Sequence, residues 1–230
     1  MQPIFADRRD AGLALARKLA ERPWDDAVVL GLPRGGVAVA FEVARALRAP
    51  LDALVVRKLG VPGHEELAMG AIASGGVRVL VPSVIDQLRI APAAIDAVVR
   101  RETAELERRE REFRGLMPFP DLTGCTVVVV DDGIATGATM MAAIRAVRAL
   151  GARHVVAAAP VMSRQASVDL ARLADEVVFV ARPESFFGVG AFYQDFTQTT
   201  DLEVRGLLAE AQARPVSSGN HATFPPGGWQ

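Results

Sequence analysis

The chain has 230 residues, half of them hydrophobic, with an aromatic share of 6%, a formal net charge of −1 and a pI of about 6.3. Such a composition supports a sizeable core of small aliphatics, the kind that packs helices on a valine-rich sheet, and it lacks the excess of Lys and Arg that a sequence-independent grip on nucleic acid requires. The single cysteine, Cys125, excludes an intrachain disulfide and a thiolate metal cage and suits a reducing cytoplasm.

At the N-terminus, Asp7, Arg8, Arg9 and Asp10 stand where a signal peptide would need its apolar stretch, and no later apolar run approaches the ~20 residues of a membrane span. Apolar residues at Ala11, Leu15 and Leu19 predict an amphipathic helix over 7–22, with Asp7 as N-cap and a stop at Pro23. A strand over 27–32, a loop at Pro33-Arg34-Gly35-Gly36, a helix over 37–47 and a strand over 51–56 make a β-loop-α-β unit of a parallel sheet. The glycine-rich stretch 57–76 reads as a long loop entering a short hairpin, with one strand at 77–81.

A long helix over 92–114 opens at Pro92 and stops at Gly115. Its second half is densely charged, and Glu105–Arg109, Glu107–Arg111 and Glu110–Arg114 are i,i+4 pairs in the favourable order. A solvated face is the first reading of this pattern and a subunit contact the alternative. The βα alternation then returns, with strands at 126–130, 155–160 and 177–181 and helices at 140–150 and from the Ser163 cap to 173. Several of these strands are apolar without alternation, as strands covered on both faces are. Thr200-Asp-Leu-Glu203 is a capping box that opens a helix ending before Pro215. Residues 215–230 lack periodicity and read as a disordered tail, so the domain spans 1–214.

The chemistry concentrates at residues 127–139, VVVVDDGIATGAT. A buried strand ends in Asp131 and Asp132, a loop of small residues follows, and a helix begins. Ligands of open parallel sheets bind beyond the carboxyl ends of the strands, and a helix N-terminus with its unpaired N–H groups suits a phosphate. Two adjacent acids would repel a bare phosphate. A phosphorylated sugar resolves the conflict, with its phosphate on the amides and its hydroxyls on the carboxylates. A P-loop nucleotide triphosphatase is excluded because the chain has no Gly-Lys-Ser or Gly-Lys-Thr. A tight βα turn with capping threonines accounts for the loop but leaves the two acids unexplained.

This segment resembles the signature of type I phosphoribosyltransferases: four apolar residues, two acids and a Thr-Gly-x-Thr loop. The resemblance implies an α/β fold with a parallel-sheet core over about 24–182 and a small hood from the terminal segments. It also implies binding of 5-phosphoribosyl-1-pyrophosphate (PRPP). Asp131 and Asp132 would contact the ribose hydroxyls and, through water, Mg²⁺. Ala135, Thr136, Gly137, Ala138 and Thr139 would wrap the 5-phosphate. Pro33, Arg34, Gly35 and Gly36 resemble the family's pyrophosphate loop, although a simple turn fits the same residues. Arg57 and Lys58 stand where the family often carries a basic residue for pyrophosphate, with a surface pair as the alternative. Lys58 joins Arg34, Asp131 and Asp132 in the expected catalytic set. The loop 60–70 would close over the reaction, and His64, Glu65 and Glu66 within it receive no role.

One departure from part of the family concerns Ala135. Enzymes acting on 6-oxopurines carry an Asp there, adenine enzymes an Ala, so protonation chemistry through that position is excluded. Phe186, Phe187, Tyr193 and Asp195 are candidates for a hood that supplies a stacking ring and an acid to the acceptor, and a packed lid fits them equally. The implied reaction transfers phosphoribosyl to a nitrogen acceptor, such as a nucleobase, with release of pyrophosphate. Mg²⁺ is the implied cofactor, and a cytoplasmic homodimer without nucleic-acid or membrane partners is expected. The rivals are a non-catalytic regulator that binds PRPP or a nucleotide, and a hydrolase or phosphorylase of phosphoribosyl compounds.

Overall fold

Valine-rich runs that are buried along their whole length organise the molecule. In the computed structural model, which describes residues 3–115 and 117–214, five parallel strands form one sheet. They are β1 (Ala27–Gly31), β2 (Leu51–Ala53), β6 (Thr126–Val130), β7 (His154–Val161) and β8 (Glu176–Ala181), in the order β2-β1-β6-β7-β8. Val127, Val128, Val129 and Val130 have no exposed surface, because alternate side chains enter separate cores on the two faces. Each such valine contributes about 1.5–3 kcal/mol by burial.

One core lies under α1 (Arg8–Leu19) and α2 (Gly35–Leu47), the other under α5 (Ala138–Ala149) and α6 (Arg164–Leu170). The caps follow the sequence. Asp7 Oδ1 accepts from the Asp10 amide, Ser163 Oγ from the Ala166 amide, and the Thr200 capping box starts α7 (Asp201–Gln212). The helix α4 (Pro92–Arg114) runs from Pro92 to a stop at Gly115. No helix among the described residues is long and apolar enough to cross a membrane.

The stretch 57–76, expected to be a long loop entering a short hairpin, belongs largely to a second sheet, and the strand expected over 77–81 is present in it at Val77–Leu80. Strands β3 (Val56–Val61), β4 (His64–Ala73) and β5 (Val77–Leu80) are antiparallel, in the order β3-β4-β5. The expected strand over 51–56 ends at Ala53, and Val56 already belongs to this second sheet. Two glycines that looked like loop residues sit inside strands where a neighbouring backbone approaches closely. A Cβ on Gly60 would lie 2.6 Å from the Glu65 carbonyl oxygen, and one on Gly70 would lie 2.5 Å from that of Val79. The segment 60–70 is therefore a hairpin turning at Pro62 and Gly63. A short helix α3 (Pro82–Gln87) follows, which no sequence signal had marked.

The charged face of α4 is only partly solvated. All three i,i+4 pairs form, with Arg109–Glu105 at 2.9 Å, Arg111–Glu107 at 3.8 Å and Arg114–Glu110 at 2.9 Å. Glu102 and Arg114 are nevertheless buried. Arg57 Nη2 lies 2.6 Å from Glu102, and Arg114 donates to the Ala53 carbonyl at 2.6 Å beside Asp52. These contacts bolt α4 to both sheets.

The segments expected to form the hood do meet. The backbone of 4–6 joins 192–195 through Phe5 N to Phe192 O at 3.0 Å, Gln194 N to Phe5 O at 2.9 Å and Asp195 N to Ala6 O at 2.8 Å. Phe5, Ala11, Val161, Phe192 and Tyr193 close a small core beneath them. The expected tail, 215–230, lies outside the described residues.

Candidate functional site

The site forms where β1 and β6 end side by side. Beyond β6 the loop 131–137 turns into α5 through Gly137, whose φ of +77° is a left-handed conformation that glycine adopts without steric cost. No side chain caps this helix start. Its first amide, that of Ala138, donates only a long 3.5 Å bond to Thr136 Oγ1, and N–H groups at a helix start can donate to an anion beside Thr136 and Thr139, which are both exposed. The loop is pinned from β7 and its continuation. Ile134 N donates to Val161 O at 2.9 Å, and Ser163 Oγ donates to Ala135 O at 2.6 Å.

Beyond β1, the second helix start is Gly35 of α2, also without a side-chain cap. The Pro33–Arg34 peptide bond is cis. Leu32 N donates to Val130 O at 2.8 Å, which fixes this turn against β6. A Cβ on Gly36 would fall 2.7 Å from the Val130 carbonyl oxygen, and a Cβ on Gly35 would fall 1.9 Å from Asp132 Oδ2. The two turns thus touch, with the acids between them.

Asp131 Oδ1 accepts from the Asp132 amide at 2.9 Å. Burial and the adjacent Asp132 carboxylate push the Asp131 carboxyl well above the usual carboxylate range. Burial also raises Asp132, and the Arg8 guanidinium partly offsets this through a 2.7 Å contact from Nε to Oδ2. Arg8 Nη1 continues to the Thr197 carbonyl at 2.6 Å, and its guanidinium carbon lies 3.9 Å from the centre of the Phe196 ring. One arginine at the start of α1 therefore ties the acid to the hood. No sequence signal distinguished it from Arg9.

The hood residues divide. Tyr193 is buried, and its hydroxyl donates to the Asp132 carbonyl at 2.5 Å. Burial, foremost, and the Asp132 charge raise its phenol, so it stays a donor. Phe186 packs on Phe192 with ring centres 5.2 Å apart, while Phe187 is 87% exposed. Asp195 accepts from its own loop, at 2.9 Å from Thr197 N and 2.6 Å from Thr197 Oγ1.

The expected basic residues also separate. Arg34 lies in the wall of a cleft of about 740 Å³, together with Arg8, Asp132, Arg108, Arg109 and Asp201. Lys58, 3.4 Å from Glu66, lines a smaller apolar groove of about 250 Å³ with Thr139 and Arg145. Arg57 is held by Glu102. Arg34 and Lys58 thus open onto different cavities. Arg108 and Arg109 face the cleft from α4, a position that the charge pattern alone did not reveal.

No group of three or more His, Cys, Asp or Glu residues able to hold a metal occurs among the described residues. The acid pair does fit a hydrated Mg²⁺ shared with a substrate. Asp131 keeps one carboxylate oxygen unused among the described residues, both acids are disfavoured as bare charges, and Mg²⁺ commonly takes one or two carboxylates plus phosphate oxygens.

Comparison with known proteins agrees with this geometry. The chain is 51% identical over 225 residues to a Mycobacterium tuberculosis protein named "Putative phosphoribosyl transferase Rv0571c". That match covers 97% of this chain and 51% of the relative, so the chain spans about half the length of the curated relatives it matches. The crystal structure of TT1426 from Thermus thermophilus is similar with a TM-score of 0.82 and 44% identity, over 91% of this chain and 99% of that one. The phosphoribosyl transferase domain profile matches residues 8–193, and with that match, on an acid pair set between two uncapped helix starts, the chain belongs to the phosphoribosyl transferase domain family.

Proposed function

We propose that this chain transfers a 5-phosphoribosyl group from PRPP to a nitrogen acceptor, a nucleobase or related compound, and releases pyrophosphate. The observation that carries this reading is the placement of Asp131 and Asp132 between two uncapped helix N-termini, at Gly35 and Ala138. A ligand with a phosphate at each end and a diol between them matches that order of charges.

In the reaction the bond from ribose C1 to the diphosphate oxygen breaks with its electron pair leaving on the diphosphate. The acceptor nitrogen donates its lone pair to C1, and its N–H proton is lost to solvent or to the departing diphosphate. The α5 amides with Thr136 and Thr139 hold the 5-phosphate, and the carboxylates of Asp131 and Asp132 accept from the ribose hydroxyls. The Gly35 and Gly36 amides and Arg34 take up charge that develops on the leaving diphosphate. Arg8 keeps Asp132 in place through its ion pair. Mg²⁺, held through water by Asp131 and Asp132, would neutralise diphosphate charge when bound.

The test is incubation with PRPP, Mg²⁺ and a panel of nucleobases. Pyrophosphate release that depends on a base is expected. Release without any base would point to a hydrolase, and tight PRPP binding without turnover would point to a regulator.

A further inference from the structure

The charged helix α4 carries groups that the assignments above leave unused. Four of its residues, Arg108, Arg109, Glu112 and Phe113, line the 740 Å³ cleft that begins at Pro33, Arg34 and Gly35. That volume is typical of ligand pockets. The two arginines are not equivalent. Arg108 engages all three of its nitrogens, with Nε and Nη2 on Glu105 at 2.8 and 2.9 Å and Nη1 on Glu112 at 2.5 Å. Arg109 spends only Nε, on Glu105 at 2.9 Å, and its two terminal nitrogens make no hydrogen bond among the described residues.

Glu105 therefore acts as an orienting anchor for both guanidiniums. In the lining of the same cleft, the Arg34 side chain also makes no hydrogen bond among the described residues, and its ion-pair partner Asp201 lies 3.7 Å away. The other acids of the cleft are matched already, Asp132 by Arg8 and Glu112 by Arg108. Two guanidinium groups with free donors thus face one cleft from two different elements. Paired arginine forks suit an anion that presents several oxygens, because each can grip two of them at once.

We infer that Arg109, held by Glu105, binds the diphosphate of the donor from the side opposite the Gly35–Gly36 amides, so that α4 forms the outer wall of the leaving-group site. This assignment rests on the PRPP reading above. The position follows from the order of parts. The 5-phosphate end is committed to α5, the ribose to the acids, and the cleft opens from the turn that would hold the other end. An acidic acceptor would use the same donors, so the test separates the two.

Calorimetry on the full chain, in Mg²⁺, with PRPP, inorganic pyrophosphate and ribose 5-phosphate as titrants, makes the distinction. Loss of a hydrogen-bonded charge pair predicts that Arg109→Gln weakens PRPP and pyrophosphate about tenfold to a hundredfold and leaves ribose 5-phosphate unchanged. Arg109→Lys should recover part of the loss, since it keeps the charge without the fork. Arg111→Gln, on the same helix but away from the cleft, should change none of the three. Unaltered PRPP and pyrophosphate affinity in Arg109→Gln would overturn the assignment and leave an acidic acceptor as the occupant. An equal loss for ribose 5-phosphate would also overturn it, as damage to the whole site. A wild-type protein that binds none of the three ligands would overturn the donor reading itself, and this assignment with it.

Discussion

Gly35→Ala is expected to leave the protein folded and to cut PRPP affinity by about tenfold to a hundredfold, the scale of losing a hydrogen bond to a charged group. The added methyl would stand 1.9 Å from Asp132 Oδ2, 2.7 Å from Asp132 Cγ and 2.7 Å from Arg8 Nε. All three atoms belong to side chains, so the clash can be relieved by moving the carboxylate and breaking its ion pair. The cost in stability should be about 1–3 kcal/mol, as for other overpacked sites. Gly36→Ala provides the contrast. There the methyl meets the Val130 carbonyl oxygen at 2.7 Å and Asp131 Cα at 2.9 Å, which are backbone atoms that cannot turn aside. Stability should fall further than in Gly35→Ala. Urea unfolding and calorimetry on both variants check the pair. Wild-type donor affinity in Gly35→Ala would mean that the Asp132 carboxylate is not part of the donor site.

The largest expected loss of stability is at Arg114. Its side chain is 4% exposed and that of its partner Asp52 is 2% exposed, 3.4 Å away. Burial raises the Asp52 carboxyl, and Arg114 and the Ala53 amide work against that shift. Arg114→Met removes the cation, the bond to the Ala53 carbonyl and the pair with Glu110 at once. Breaking a buried pair from one side costs about 3–5 kcal/mol, a large part of the ~5–15 kcal/mol that holds a typical domain. Adding Asp52→Asn should return part of this loss, because the more deeply buried of the two carboxylates left without Arg114 is then neutral. Denaturant midpoints of the single and double variants test it. A single variant within about 0.5 kcal/mol of wild type would show that the pair does not anchor α4. That anchor matters to function because Arg109 sits on the same helix.

The parts of the structure legible in the sequence were those set by local chemistry. The caps at Asp7, Ser163 and Thr200, the Pro92 start and the Gly115 stop all depend on residues a few positions apart. The parallel sheet showed itself through apolar runs without alternation, and the turn between β6 and α5 through order and spacing. The second sheet did not, because Gly60 and Gly70 answer to close approach by a paired strand, and in one dimension that cannot be told from a loop. Arg8 was invisible for a related reason, since its partner Asp132 is 124 residues away. On α4 the charge pattern is the same for exposed and buried members. Only the packing of β2 and β3 against the helix separates Arg114 and Glu102 from Glu107 and Arg111. Tyr193, a candidate ring for an acceptor or part of a packed lid, is buried with its hydroxyl on the Asp132 carbonyl, a contact across 61 residues that no local pattern marks.

The central claim is that Asp131 and Asp132 receive the ribose of PRPP, and calorimetric titration of PRPP into the Asp131→Asn, Asp132→Asn double variant tests it most directly. Asparagine keeps an oxygen for Arg8, so cooperative unfolding should persist. With hydrogen bonds to charged groups worth about 1.5–3 kcal/mol each, the donor should bind at least about a hundredfold more weakly than to wild type. Unchanged PRPP affinity in a folded double variant would contradict the account.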